Sequence, residues 1–200
     1  MITTIIFDMG MVLVHFRWKE LFHDMGLTGE RFERMADATV RNPVWNEIDR
    51  GVWSDEMMYE AFVKNAPDME SEIHEMMYEK FEGFLKKYDY TDEWLDSLKA
   101  KGYKLYILSN FSRKGFEESK ELDYVSKVDG AVISYKVNMI KPEPGIYKYL
   151  LEKYDIDPAE AVFIDDNADN IAAAEKFGIK GICFTDKASA EKQLAALGVK

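Results

Sequence analysis

Short apolar runs alternate with amphipathic helical patterns over the second half of the chain, and one apolar run opens it. The opening run, residues 2–7, is short, rich in β-branched side chains and followed by Asp8 and Gly10, which predicts a buried strand ending at a polar turn. Further strands are predicted at 103–108, 131–133, 161–164 and 181–184, with helical patterns between most of them. This alternation predicts an α/β fold: a Rossmann-like, doubly wound parallel sheet covered by helices.

The stretch from about residue 17 to 88 has a different character, with no convincing strand. Its apolar spacing predicts short helices near 18–25, 30–38, 44–50, 54–65 and 70–81. It begins a few residues after Asp8, so we expect it to hang over the end of the first strand as a lid. We therefore divide the chain into an α/β core of residues 1–15 and 89–200 and a small helical cap of residues 16–88.

The charge balance narrows the choice of partners. Asp and Glu outnumber Lys and Arg by 37 to 26, a net charge of −11, which argues against a nucleic-acid or anionic-membrane partner. Any anionic substrate needs a local positive site. The single cysteine, Cys183, lies in an apolar run and is expected to pack in the core. No ligand-like histidine spacing, signal-like segment or membrane-length apolar run is found, so a cytoplasmic protein is the default expectation.

Polar residues follow several of the predicted strands at the edge where parallel sheets bind ligands. They are Asp8, Ser109 with Asn110, and Asp165 with Asp166, and Lys141 lies in the loop after the short strand at 131–133. Each alone is explained equally well by a turn, a helix N-cap or a surface lysine. Those explanations do not account for four separate loops converging on one edge, which predicts a functional site.

These side chains suit phosphoryl transfer, in which positioning and charge neutralisation do most of the catalysis. Asp8 is the candidate nucleophile. Ser109 and Asn110 offer donors to a phosphate, and Lys141 can neutralise a phosphate oxygen while orienting Asp8. Asp165 and Asp166 suit Mg²⁺, which proteins bind through one or two carboxylates together with water and substrate phosphate.

Four segments in this order resemble the motifs of the haloacid dehalogenase (HAD) superfamily: 7–10, 108–110, 141–142 and 163–170. The resemblance covers the whole chain and is closest to small bacterial sugar-phosphate phosphatases, including α-D-glucose-1-phosphate phosphatases. It implies Asp8 as nucleophile, Asp165 as a Mg²⁺ ligand, and a cap that sets substrate choice.

Gly10 departs from the family pattern, in which most phosphatases carry a second Asp two residues after the nucleophile. In the family the carbonyl of that residue binds Mg²⁺ and its carboxyl transfers protons. Gly10 keeps the carbonyl and loses the carboxyl, an effect worth a factor of about 10²–10⁴ in rate where such catalysis operates. A replacement donor from the cap, from His15 or from water remains open.

The same departure keeps three alternatives in view. The first is a 2-haloacid dehalogenase-like hydrolase, which would need no metal and would not need the Asp165–Asp166 pair. The second is a phosphonate hydrolase-like enzyme, which would need a cap lysine, for which Lys64 and Lys80 are available without a distinctive context. The third is a weakly active phosphate- and Mg²⁺-binding sensor.

The cap segment 44–51 offers candidate substrate contacts in Trp45, Glu47, Asp49 and Arg50, although an amphipathic cap helix with a packed tryptophan and a solvated acidic face is the stronger explanation of this pattern. The sequence thus predicts a Mg²⁺-dependent phosphomonoesterase that forms an aspartyl-phosphate. Its expected substrate is a small sugar phosphate, a hexose phosphate such as glucose 1-phosphate. The expected partner is a small phosphorylated metabolite, with no nucleic acid or membrane, and the expected state is a monomer or weak dimer.

Overall fold

Five parallel strands form the central sheet of the computed structural model, which describes all 200 residues. The strands of the chain are β1 (Thr4–Phe7), β2 (Val14–Phe16), β3 (Leu85–Lys87), β4 (Lys104–Ser109), β5 (Gly130–Ile133), β6 (Ala161–Asp165) and β7 (Lys180–Cys183). The sheet order is β5-β4-β1-β6-β7, with every neighbouring pair parallel. β1 therefore lies at the centre, and its end is surrounded by the ends of β4 and β6.

Helices fill the connections and confirm the predicted α/β fold class. They are α1 (Trp18–Asp24), α2 (Gly29–Ala38), α3 (Trp45–Arg50), α4 (Asp55–Asn65), α5 (Glu70–His74), α6 (Thr91–Ala100), α7 (Arg113–Glu118), α8 (Ser134–Val137), α9 (Pro144–Tyr154), α10 (Ala168–Glu175) and α11 (Lys187–Ala196). None is long and apolar enough to cross a bilayer. The Ser54 side chain caps α4 by accepting from the Met57 N–H, and Pro144 opens α9 with its fixed backbone angle.

Side-chain alternation along β1 divides the core between the two faces of the sheet. Ile5 and Phe7 join a continuous apolar cluster that extends through α6 and into the helices between β2 and β3. Ile6 points the other way, into a smaller cluster with α9 and α10. Because the larger cluster crosses from the sheet into the inserted helices, the insertion is packed against the core in this structure.

A short antiparallel ribbon of β2 and β3 carries the chain into and out of the inserted helices. The sequence prediction of no strand between residues 17 and 88 was therefore wrong at Leu85–Lys87. A strand this short has too little alternation to signal itself, and its partner lies about seventy residues away in the chain. The proposed cap of residues 16–88 begins and ends beside this ribbon.

Cys183 also differs from its prediction, because it is exposed rather than packed in the core. It ends β7, which is an edge strand of the sheet. Alternation along that strand buries Ile182 and turns the next side chain outward.

The C-terminal end of α3 is fastened to the core beside α8. The Ser134 hydroxyl donates to the carbonyl of Asp49, and the Asn138 amide donates to the carbonyl of Arg50 over 3.0 Å. Gly51 then turns the chain with a φ of +72°, and a Cβ there would lie 2.7 Å from the Cβ of Tyr135. Only glycine satisfies both the left-handed backbone and this close approach.

The close approach at Gly51 can be separated from its backbone angle by comparison with Gly102, whose φ is +89° with open space around it. We expect Gly102→Ala to cost about 1–2 kcal/mol in free energy of unfolding, from the left-handed conformation alone. Gly51→Ala should cost about 1–3 kcal/mol more, because the methyl group overlaps Tyr135. Urea unfolding of both variants measures the difference, and equal losses would contradict the docking described here.

Candidate active site

Four buried polar side chains meet where the central strands end. Asp8 follows β1, Ser109 ends β4, Asp165 ends β6, and Lys141 follows α8, which itself follows β5. Each is less than 9% exposed in a region otherwise filled by apolar side chains. The structure thus brings together the residues that the sequence placed at separate strand ends.

Lys141 is the centre of this group. Its Nζ lies 2.8 Å from Asp8 Oδ1 and 2.6 Å from Asp165 Oδ2, so one ammonium group bridges two buried carboxylates. The Ser109 hydroxyl also donates to Asp8 Oδ1, over 2.6 Å. Two donors therefore occupy Oδ1 of Asp8, and its Oδ2 has no hydrogen-bond partner in the protein. The carboxylate is oriented, and one oxygen is left available for chemistry.

Asp165 is held by more donors than Asp8. Its Oδ1 accepts from the main-chain N–H of Asn167 at 2.8 Å, and the Asn170 amide donates to both of its oxygens at 3.1 Å. Asn167 caps α10, and Asn170 lies in the first turn of that helix. Neither asparagine is among the predicted site residues, although both belong to the 163–170 segment and lie two and five residues after Asp165, which was the available signal.

Asn110 has a different position from the one its motif suggested. Its amide donates to the Lys141 carbonyl at 2.9 Å, and its Oδ1 accepts from the Lys141 N–H at 2.7 Å. The amide therefore fixes the main chain of Lys141 and does not point a donor at an anion here. Phosphate binding by the Asn110 side chain stays a prediction, while its positioning of Lys141 is observed.

Burial and charge set the protonation of the group. Burial, together with the charge of Asp165, raises the pKa of Asp8 to about 6, although Lys141 and Ser109 act in the opposite direction. Burial lowers the pKa of Lys141, but the two carboxylates outweigh it and leave that pKa above its ordinary value. Lys141 is therefore a permanent cation at neutral pH.

The acidic residues fit a hard divalent cation. Carboxylate oxygens of Asp8, Asp165 and Asp166 all lie within 4.8 Å of one another. Three carboxylates and the one ammonium of Lys141 leave a net formal charge of −2. Desolvation and the negative charge of Asp165 raise the pKa of Asp166. A bound cation would stabilise the ionised form of this carboxyl. All-oxygen ligands with this charge are typical of Mg²⁺ sites, so the cluster can bind Mg²⁺.

Asp166 is the most open of these ligands. Asp165 is fully buried and already accepts from Lys141, Asn167 and Asn170, whereas Asp166 is exposed and makes no side-chain hydrogen bond. Gly10 lies on the same cavity, where its predicted carbonyl contact to the metal stays a prediction.

A cavity of about 350 Å³ opens above Asp8, between the core and the inserted helices. Of the four predicted substrate contacts, Trp45 and Asp49 line it. Glu47 and Arg50 do not, because Arg50 binds Glu143 through two hydrogen bonds of 3.0 and 2.7 Å and Glu47 lies 3.5 Å from the same guanidinium. Arg50 thereby holds α3 against the core, and Glu47 pairs with it within the same helix.

The other residues considered as proton donors or Schiff-base lysines lie away from the cavity. His15 stacks on Tyr88 and faces Glu20 at 3.8 Å. Lys64 and Lys80 are exposed, and neither lines the cavity.

Comparison with known proteins places the chain in a family. Residues 38–184 match the family described as haloacid dehalogenase-like hydrolase, which is well over half of the chain, so this protein belongs to that family. The predicted superfamily is therefore confirmed. Its closer kinship with α-D-glucose-1-phosphate phosphatases stays a prediction.

Relatives and solved structures agree with this membership. The chain is 26% identical to the sesquiterpene phosphatase astK of Aspergillus oryzae, covering 96% of this chain and 94% of that one. It is 30% identical to a phosphorylated carbohydrates phosphatase of Thermotoga maritima over 55% of this chain, which spans 51% of that enzyme. A HAD family enzyme of Bacteroides thetaiotaomicron, solved with magnesium and inorganic phosphate, shares the fold with a TM-score of 0.70 at 23% identity, over 94% and 96% of the two chains.

Metal binding can be tested at the most open carboxylate. We expect Asp166→Asn to weaken Mg²⁺ binding by at least about tenfold, because it removes a charged ligand without disturbing the buried Lys141 contacts. Titration calorimetry measures the affinity, and the rise in melting temperature with Mg²⁺ provides a second readout. Asp169→Asn, an exposed carboxylate three residues further on, is the matched control. Wild-type affinity in both variants would exclude Asp166 from the metal site.

Proposed function

We propose that this protein is a Mg²⁺-dependent phosphomonoesterase with Asp8 as the nucleophile. The observation that carries the proposal is the Asp8 carboxylate, anchored through Oδ1 by Ser109 and Lys141 and left without a partner at Oδ2, beside an acidic cluster of net charge −2. Oδ2 attacks phosphorus and the ester oxygen leaves, which produces an aspartyl-phosphate that water then hydrolyses. Asp8, Asp165 and Asp166 would hold Mg²⁺, which would supply positive charge to the phosphoryl oxygens.

The surrounding side chains have defined parts in this scheme. Lys141 keeps Asp8 oriented and stays positively charged, so it opposes the repulsion between the carboxylate and an incoming phosphate. The Ser109 hydroxyl donates to Oδ1 of Asp8 and can turn instead toward an oxygen of the phosphoryl group. Phosphatase relatives, of both terpenoid and carbohydrate phosphates, support the reaction class.

The alternative activities have less support. A dehalogenase mechanism has no use for the carboxylates of Asp165 and Asp166 brought within 4.8 Å of Asp8. A phosphonate hydrolase needs a lysine in the cavity above Asp8, and none of the residues lining that cavity is a lysine. A phosphate- and Mg²⁺-binding sensor would use the same contacts. It would differ from the phosphatase only in not hydrolysing the ester.

Asp8→Asn tests the reaction class. We expect it to abolish phosphate release from a panel of phosphate monoesters, because an amide cannot form the aspartyl-phosphate. Removal of Mg²⁺ with a chelator should abolish activity of the wild type in the same assay, and Asp169→Asn should retain it.

Activity that survives either treatment would reject the mechanism. Chloride release from a 2-haloacid by the wild type would favour the dehalogenase instead. Binding of Mg²⁺ and inorganic phosphate without turnover of any ester would favour the sensor.

The residues that line the cavity indicate which kind of substrate it can bind. The side of the cavity contributed by residues 16–88, here called the cap wall, is almost wholly apolar. It consists of Phe16, Val40, Trp45, Asp49, Phe81, Phe84 and Leu85. Asp49 is its one polar side chain, whereas the hydroxyl groups of a hexose each need a hydrogen-bond partner when they leave water.

We therefore favour a phosphate ester whose organic group is apolar or planar over the predicted hexose phosphate. Aromatic side chains form most of this wall and are packed on one another, with Trp45 and Phe84 at 5.6 Å between ring centroids. Such a surface excludes water and stacks on flat or hydrocarbon groups. A cavity of about 350 Å³ is large enough for a small organic group with its phosphate.

A matched pair of substrates tests this choice. Cyclohexylmethyl phosphate and glucose 6-phosphate both carry a primary phosphate on a ring of the same size and differ mainly in their hydroxyl groups. We expect kcat/KM to favour cyclohexylmethyl phosphate by at least about tenfold, the effect of leaving one hydroxyl unpaired. Glucose 1-phosphate belongs in the same assay. A preference for either sugar phosphate would restore the hexose phosphate prediction.

A further inference from the structure

The departing ester oxygen needs a proton, and the usual family donor is missing at Gly10. A Cβ placed on Gly10 meets no atom within 4 Å, so no neighbouring side chain packs against this position. The question is which other acid reaches the same cavity. The titratable side chains on its wall are Asp8, Asp166 and Asp49. Asp8 is the proposed nucleophile and Asp166 a proposed metal ligand, which leaves Asp49.

The main chain at Asp49 and at the residue after it is fixed to the core. The Phe111 N–H donates to Ser134 Oγ over 2.8 Å, and that hydroxyl donates to the Asp49 carbonyl. Phe111 belongs to the loop that begins with Ser109, so this chain of hydrogen bonds links Asp49 to the loop that orients Asp8. The paired Arg50 and Glu143 hold the next residue of α3. The main chain of Asp49 is thus held beside the loop that orients Asp8.

The carboxyl of Asp49 has no partner in the protein. It makes no hydrogen bond or ion pair, although it lies on the wall of a largely apolar cavity. A carboxyl in such surroundings is costly unless a bound molecule provides its partner. The other acid of α3, Glu47, is not in this position, since it faces Arg50.

The burial and the charges around Asp49 favour the protonated form of its carboxyl. Burial and the negative charge of Asp8 raise the pKa of Asp49 to about 7, and Lys141 opposes them. Asp166 also lines the cavity, while Glu47, Arg50 and Glu143 form an ion-paired group of net charge −1 that does not line it. A proton donor is most effective when its pKa lies near the working pH.

We propose that Asp49 is the general acid and base of the reaction and replaces the carboxyl missing at Gly10. This assignment rests on the proposed phosphomonoesterase function. In the first step the bond from Asp8 to phosphorus forms, the ester bond breaks, and the Asp49 proton passes to the leaving oxygen to give an alcohol. In the second step the Asp49 carboxylate takes a proton from water, the bond from the water oxygen to phosphorus forms, the bond from Asp8 to phosphorus breaks, and inorganic phosphate leaves with the Asp8 carboxylate restored.

The test compares two leaving groups in Asp49→Asn. An alkyl oxygen needs the proton, whereas p-nitrophenolate leaves as a stable anion without one. We expect kcat/KM for the alkyl ester to fall by about 10²–10⁴, and kcat/KM for p-nitrophenyl phosphate to fall by less than about tenfold. The alkyl ester is cyclohexylmethyl phosphate or glucose 6-phosphate, whichever the wild type hydrolyses faster.

Two further readouts separate proton transfer from a structural role. With p-nitrophenyl phosphate, Asp49→Asn should release one equivalent of nitrophenolate in a burst and then turn over slowly, because the second step lacks its base. With the alkyl ester, the fall in wild-type kcat/KM as pH rises through about 7 should disappear in the variant, because that limb reports loss of the Asp49 proton. Asp37→Asn, an exposed cap carboxylate paired with Arg41 at 3.2 Å, is the control and should change none of these.

A second variant restores a carboxyl from the other side of the cavity. Because the space around Gly10 is open, the Gly10→Asp/Asp49→Asn double variant should regain at least about tenfold in kcat/KM for the alkyl ester over Asp49→Asn. Equal losses on both esters without a burst, or wild-type rates on both, would overturn the assignment of Asp49. A wild type that hydrolyses neither ester with Mg²⁺ would instead overturn the proposed function.

Discussion

The site depends on the ion pairs that the ammonium group of Lys141 makes with two buried carboxylates. It contacts Asp8 and Asp165 at 2.8 and 2.6 Å, and all three side chains are buried at the end of an apolar sheet. Removal of one partner from a buried ion pair typically costs about 3–5 kcal/mol, because the remaining charge is left without compensation. The central strand can end in a carboxylate only because a cation from another loop reaches it. Asn110 secures that cation by binding both main-chain polar groups of Lys141.

The single positive charge of Lys141 does not neutralise the acidic cluster of Asp8, Asp165 and Asp166. This excess of negative charge connects the fold to the proposed chemistry. With Asp166 included, the cluster keeps a formal charge of −2 inside a chain whose net charge is −11. A phosphate dianion would be repelled by both. A divalent cation would bring the cluster, with Lys141 counted in it, to neutrality and remove the local repulsion, so metal binding and phosphate binding support each other through charge alone. The acidity of the protein is thus compatible with an anionic substrate only through this local site.

Much of this arrangement could be predicted from the sequence, because strand ends and their polar residues are local signals. The strands that carry Asp8, Ser109 and Asp165 were placed within a residue or two. The pairing of β2 with β3 escaped prediction because its strands are short and distant in sequence.

The sequence also did not predict which of the four candidate substrate contacts would line the cavity, although their spacing along the helix offered a clue. Trp45 and Asp49 are four residues apart on α3 and share the face that lines the cavity, whereas Glu47 and Arg50 share another face. Which face meets the site depends on how α3 docks. That docking is set by Ser134, Asn138 and Glu143, and none of them is marked as a partner of α3 by the sequence around it.

A proton donor carried by the inserted helices has consequences that one beside the nucleophile does not. A carboxyl at position 10 would be in place at all times, since it shares a turn with Asp8. Asp49 is in place only while α3 is docked through its main chain and Gly51 against α8. In the proposed mechanism, the docking that delivers the proton would also close an aromatic wall over the phosphate and exclude water from the first step. In this protein, substrate enclosure and acid catalysis would therefore be one event, and a substrate that failed to fill the apolar cavity would also fail to receive its proton.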